Sequence, residues 1–260
     1  MNYLLRGLRA EYLKTHRTIV YWLLLLCPLA LNILVVLIIH EEAGTGRIIR
    51  KGMNPWIAIY NINFSLLTGV FIILFVAIIN SLLNNIEHKS NSWKHLYAIA
   101  QPRWAVYFHK SLFSIGALLF AMLVFSLMQP LSGMLLNAMH PDLKMGNYPM
   151  EFSHSIKLLT KAFISTLGIW SIHQWITFRY RNFALSVGIG IIALISVEII
   201  GDFFDWMKYT PYALPGQNVG GDPRKVTSTT VFTQEVWLGL GWGMTIWLMG
   251  FWDAKRRDVV

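Results

Sequence analysis

Glu41 and Glu42 are the only adjacent carboxylates in the chain, and they stand beside Gly44 and Gly46. Such a pair does acid–base work when a second group lies within hydrogen-bond reach of the same proton. No histidine or metal-ligand set occupies a facing apolar segment to supply that group. His88 and His95, seven residues apart, are the histidines whose spacing suits one helix face, and they lie in a polar stretch. Cys27 is the sole cysteine, so an internal disulfide or a cysteine metal cluster is excluded, and it reads as apolar filling. The chain has no G-x-x-x-x-G-K-[ST] phosphate loop, no H-E-x-x-H and no G-x-S-x-G turn. No catalytic residue, metal or bound cofactor is expected.

The remaining polar groups stand inside long apolar runs. Hydrophobic residues make up 55% of the 260 residues and charged ones 13%, where soluble domains carry about 25% charged. A helix needs about 20 residues to cross about 30 Å of hydrocarbon. Six segments satisfy that: residues 19–39, 56–83, 104–131, 158–178, 183–201 and 232–252. Barrel strands would alternate polar and apolar residues in runs of about ten, which these do not. Backbone polar groups in lipid then require helices. The first run begins near Thr18, behind a basic segment, and is too long for a signal-peptide core, so it is expected to remain as an anchor.

Within these runs Glu198, His173 and Gln174 are candidates for a substrate path, since intramembrane polar groups face protein or water. Each has a structural alternative. Glu198 lies near the outer end of its span and can reach the interface. His173 and Gln174 can hydrogen-bond between helices, as can Asn61, Asn63 and Asn80.

The net charge is +9, but the basic residues fall in short segments between apolar runs, which reads as membrane orientation and not nucleic-acid binding. Placing the N-terminus inside puts Arg6, Arg9, Lys14, Arg17, Lys89, Lys94, Arg103, Lys110, Arg179, Arg181 and Lys255–Arg256–Arg257 on the cytoplasmic side. Both termini are then cytoplasmic. Residues 1–17 form a basic amphipathic segment, with Leu4, Leu5, Leu8 and Tyr12 on one face, that is expected to lie on the inner membrane surface. Between spans two and three, Trp93, Leu96, Tyr97 and Ala100 follow an i, i+3, i+4, i+7 pattern that Pro102 ends. Phe203, Phe204 and Trp206, followed by Pro211 and Pro215, predict an interfacial or re-entrant element before the last span. The whole chain reads as one membrane domain.

The segment Glu87-His88-Lys89-Ser90-Asn91-Ser92-Trp93-Lys94-His95-Leu96-Tyr97-Ala98-Ile99-Ala100-Gln101-Pro102-Arg103, with Lys110 following, resembles the stretch after the second span of ABC-2-type permeases. Its Asn-Ser-Trp-Lys core is most similar to the lantibiotic-protection and bacitracin-export branch. The tail Lys255-Arg256-Arg257-Asp258 resembles the family's ending. Gln101-Pro102-Arg103-Trp104 departs from the usual proline, two residues, then arginine. The resemblance implies an all-α membrane protein of the ABC-2 permease fold, with residues 84–103 as the coupling segment that docks on an ATPase. It assigns the docking to Glu87, Trp93, Lys94, Leu96, Tyr97, Pro102 and Arg103. ATP and Mg would be bound by that separate ATPase chain. A homodimer, or a heterodimer with a second permease, is implied, in the bacterial cytoplasmic membrane. The implied cargo is an amphipathic compound such as a lantibiotic, bacteriocin or peptide antibiotic. A non-transporting scaffold or assembly subunit bound to an ABC ATPase is the alternative.

Overall fold

The computed structural model describes residues 2–43, 54–89, 103–180, 182–201, 203–219 and 230–256. Among them the regular structure is helical. The helices are α1 (Asn2–Thr15), α2 (Ile19–Ala43), α3 (Pro55–Leu66), α4 (Ile72–Lys89), α5 (Arg103–Met139), α6 (Phe152–Arg179), α7 (Phe183–Ile200), α8 (Leu214–Val219) and α9 (Gln234–Arg256). A π-helical turn, Leu67–Phe71, joins α3 to α4, so the two make one long rod. The run from Leu37 through Ile39 continues helically to Ala43, which places Glu41 and Glu42 in the last turn of α2 and not in a loop. Asn54 caps α3, its side chain accepting from the Trp56 amide at 3.0 Å, and Pro55 follows at the first helical position.

Four of the described helical segments are long and apolar enough to cross a membrane: Ile19–Glu41, Pro55–Ile86, Trp104–Met139 and Phe183–Ile200. Their outward faces are bare. Trp22, Leu26, Leu29, Ile33 and Leu37 are exposed along α2, as are Ile191, Ile192, Ile195 and Ile199 along α7. Water would not tolerate apolar stripes of that length, so these are lipid-facing surfaces. Helices α6 and α9 have 28 and 23 residues but carry more polar groups along their length.

The core lies where α3–α4 crosses α5 and α6. Tyr60, Phe64, Ile72, Ile73, Phe125 and Ile169 are fully or almost fully buried there. Helix α9 runs beside α6 in the same direction. Gly239 meets Ser165, Gly243 meets Leu167, and at the far end Arg179 Nη1 donates to Asp253 Oδ1 at 2.8 Å. Small residues let two helix backbones approach this closely, which is how apolar helices associate without a hydrophobic driving force.

After α7 the chain turns back into the bundle. Phe203, Phe204 and Trp206 stay exposed, while Met207, Pro211, Ala213 and Leu214 are buried. Pro211 packs on Gly168 of α6, and Trp242 Nε1 of α9 donates to the Tyr209 carbonyl at 3.0 Å. Helix α8 then lies against the π turn, with Gly216 facing Thr68 and Gly69. The widened turn lies at the point in the long rod where this returning segment sits.

Candidate functional site

The segment expected to contact an ATPase joins α4 to α5. Trp93, Lys94, Leu96, Tyr97 and Pro102 lie outside the described residues, Glu87 falls in the last turns of α4, and Arg103 opens α5. What the structure shows is how the two ends of that connection are anchored.

The first anchor is α1. Its face toward α5 is not the leucine stripe. Gly7, Glu11 and Thr15 are buried, at i, i+4, i+8 spacing, whereas Leu5 and Tyr12 are exposed. Gly7 is required by close approach: a Cβ there would run into the His109 ring. Four residues on, Glu11 Oε2 accepts from Lys110 Nζ at 3.2 Å and Glu11 Oε1 from Lys14 Nζ at 3.2 Å. The Lys110 and Glu11 side chains are only 3% and 9% exposed, so this is a desolvated pair. Burial pushes the Glu11 carboxyl up, and the ammonium groups of Lys110 and Lys14 together outweigh it, holding the carboxyl below its ordinary 4.5. A depressed carboxyl contributes stability that is fully present above about 4.5 and is lost as pH falls through the lower, folded value. Hydrogen exchange of the purified chain is therefore expected to show α1 amides protected well above pH 4.5 and losing protection as the pH falls below it, ahead of the α6 and α9 amides.

The second anchor is a set of hydrogen bonds between spans near the α1 end. Ser114 Oγ of α5 donates to Asn80 Oδ1 of α4 at 2.6 Å and accepts from Trp170 Nε1 of α6 at 3.0 Å. One turn nearer that end, Asn84 Nδ2 donates to Thr177 Oγ1 at 2.9 Å. Three helices are thus cross-linked near the C-terminal end of α4. His173 extends the set. Its Nδ1 lies 2.8 Å from Ser186 Oγ on α7, and its Nε2 lies 3.3 Å from the Tyr212 hydroxyl on the returning segment. A neutral ring with its proton on Nδ1 satisfies both, donating to Ser186 and accepting from Tyr212. Gln174, fully buried beside it, has neither amide atom hydrogen-bonded among the described residues. Leaving a buried amide unpaired costs about 1–3 kcal/mol.

Glu198 is elsewhere. It is exposed, in the last turn of α7, twelve residues beyond the Ser186 that holds His173. Twelve residues span about 18 Å of helix, so Glu198 does not join His173 and Gln174. Of the three asparagines, Asn80 bonds Ser114 and Asn61 bonds His154 Nε2 at 2.8 Å, both between helices. Asn63 Nδ2 instead donates within its own helix, to the Ile59 carbonyl.

Two further groups are not among the sequence-based candidates. Lys161 is 1% exposed in the first half of α6. A lysine within an apolar run is a visible signal. His40 and His140 meet at the other end of the bundle, Nδ1 to Nε2 2.8 Å, across a hundred positions with no local signal. No group of three or more metal-ligating side chains occurs among the described residues.

Ser186 and His173 bring a hydroxyl and an imidazole into contact, but the other ring nitrogen meets the Tyr212 hydroxyl and no carboxylate bonds the ring among the described residues. The arrangement holds the two helices that flank one connection rigidly to a basic helix on one side and to the other spans on the other, which suits mechanical transmission. The family model described as ABC-2 family transporter protein matches residues 7–197, from the middle of α1 through most of α7. No curated protein and no solved structure matches the chain significantly. The chain belongs to the ABC-2 transporter family, multi-pass membrane components that work with ABC ATPase partners.

Proposed function

We propose that this chain is the permease subunit of an ATP-driven exporter, with six spans, both termini cytoplasmic, and residues 84–103 docking in a groove of a separate ATPase chain. Helices α6 and α9 supply the fourth and sixth spans in this reading. The basic α1 lies along the inner surface of a bacterial cytoplasmic membrane, and two permease halves, identical or similar, complete the transporter. The observation that carries the reading is the buried Glu11–Lys110 pair, which fixes α1 to α5 seven residues after Arg103. Motion applied to the connection therefore reaches α4, α5 and, through Ser114 and Asn84, α6. The rigid-body shifts that ATP binding drives in transporters need such fixed levers. The cargo in this reading is an amphipathic peptide of the lantibiotic or bacteriocin type. The bare aromatic and aliphatic faces are compatible with it.

The test is co-expression with a candidate ABC ATPase that carries the Walker phosphate loop this chain lacks. Trp93→Ala removes a candidate aromatic anchor, and such anchors contribute about 2 kcal/mol or more when buried in a groove. Co-purified ATPase is expected to fall by more than tenfold while the permease keeps its elution volume. Wild-type recovery of the ATPase by the variant would refute the docking assignment. Labelling of Lys94 from outside the cell would refute the orientation. An ATPase complex that moves no peptide would favour the scaffold alternative.

A further inference from the structure

A groove of about 540 Å³ opens between α1, α2 and the base of α5, within the roughly 300–1,000 Å³ of small-molecule sites. We propose that it holds one anionic phospholipid, with an acyl chain along α5 and the phosphate at Arg9. This rests on α1 lying along a membrane surface, as proposed above.

The groove is amphipathic along its length. Leu24, Leu112, Gly116 and Phe120 form its apolar wall, and Arg9 with Tyr12 and Tyr21 its polar end, the mouth. Val20 and Leu24 of α2 pack in one cluster with Ala117 and Ala121 of α5, so the mouth lies where α2 enters the apolar layer. A guanidinium at that depth is at the level of lipid phosphates, for which its planar donor set is suited. Arg9 is exposed and pairs with no acid among the described residues. Glu11, the only acid on α1, is already held by Lys110 and Lys14. The mouth therefore keeps uncompensated positive charge, which a zwitterionic lipid satisfies less well than an anionic one.

The wall has space built into it. An added Cβ at Gly116 would meet nothing within 4 Å. Alanine would favour the helix there by about 1 kcal/mol, so packing within the chain gives no reason for glycine. An occupant lying along α5 does.

The experiment uses the full chain, delipidated in detergent, without any ATPase, and titrated with dioleoylphosphatidylglycerol or dioleoylphosphatidylcholine under native mass spectrometry. One basic group near the surface is worth about a fivefold preference. The wild-type chain is expected to retain phosphatidylglycerol at roughly one-fifth the concentration needed for phosphatidylcholine. Arg9→Gln should erase that preference, and Gly116→Phe, which fills open space and leaves the Glu11–Lys110 contact in place, should suppress retention of both lipids. Equal retention of the two lipids by the wild type would overturn the proposal, as would a preference that neither variant changes. A change in oligomeric state on Gly116→Phe, with lipid retention intact, would make the groove a contact between copies and also overturn it. ATPase docking is not read out, so failure of the transporter reading would leave these results standing.

Discussion

Lys110→Met is expected to detach α1 from the bundle and to uncouple ATP hydrolysis from transport. Methionine keeps the length and apolar stem of lysine and removes only the ammonium. Glu11 is then left buried with Lys14 as its remaining partner, and the Lys14 side chain is 31% exposed. Breaking a buried ion pair from one side costs about 3–5 kcal/mol, because the surviving charge stays desolvated. Lys14 offsets part of that, so a loss of about 3 kcal/mol is expected, a large share of the roughly 5–15 kcal/mol that ordinarily holds a fold. Thermal unfolding in detergent would show the loss, and hydrogen exchange would localise it to α1 and the first turns of α5. Exchanging the charges, Glu11→Lys with Lys110→Glu, restores an opposite pair but sets a second ammonium beside Lys14 on the same helix. Recovery of about half the loss is therefore expected, with a coupling energy in the double-mutant cycle of about 1–2 kcal/mol. If Lys110→Met melts with the wild type and leaves α1 equally protected, α1 is not part of the lever.

That pair also shows where sequence reasoning reaches its limit. The runs that become α2, α5 and α7 were legible because length and apolarity alone define a helix that must satisfy its own backbone in lipid. The exposed leucines of α2 and isoleucines of α7 follow from the same composition. Contacts between helices were not legible. Glu11 and Lys110 are 99 residues apart, and at that separation each looks like an ordinary flanking charge. His173 was visible as a polar group in a span, but its partners Ser186 and Tyr212 come from the next span and from a segment that folds back beside it. The leucine periodicity of α1 was real, yet the face that docks is Gly7, Glu11 and Thr15, because close approach to His109 favours the residue with no side chain. Apolar periodicity identifies the face that suits lipid. The face that suits protein is set by small and paired polar residues.

The same logic governs α9, where Gly239→Ala is expected to destabilise and Gly241→Ala is not. A Cβ on Gly239 would lie 2.6 Å from Ser165 Cα and 2.8 Å from the Ile164 carbonyl oxygen. Both are backbone atoms of α6, which cannot rotate aside as a side chain would. The helices must separate by on the order of 1 Å, and a gap of that size forfeits about a quarter to a half of each dispersion contact. Overpacking of this kind costs about 1–3 kcal/mol. Gly243 lies one turn on, with a Cβ there 2.8 Å from Leu167 Cβ, so Gly239→Leu with Gly243→Leu is expected to yield no folded protein. Gly241 faces open space, with nothing within 4 Å of an added Cβ, and alanine there should be neutral or stabilise by up to about 1 kcal/mol. The two alanine variants share one helix and one residue change, so propensity and insertion effects are common to them and only the contact differs. Separation at Gly239 would also shift Trp242, which holds the returning segment through the Tyr209 carbonyl. Loss of packing between α6 and α9 should therefore appear together with exposure of Ala213, read as modification of a cysteine placed there. Identical melting of Gly239→Ala and Gly241→Ala would mean that α6 and α9 do not approach backbone to backbone, and that what holds the returning segment in place lies elsewhere.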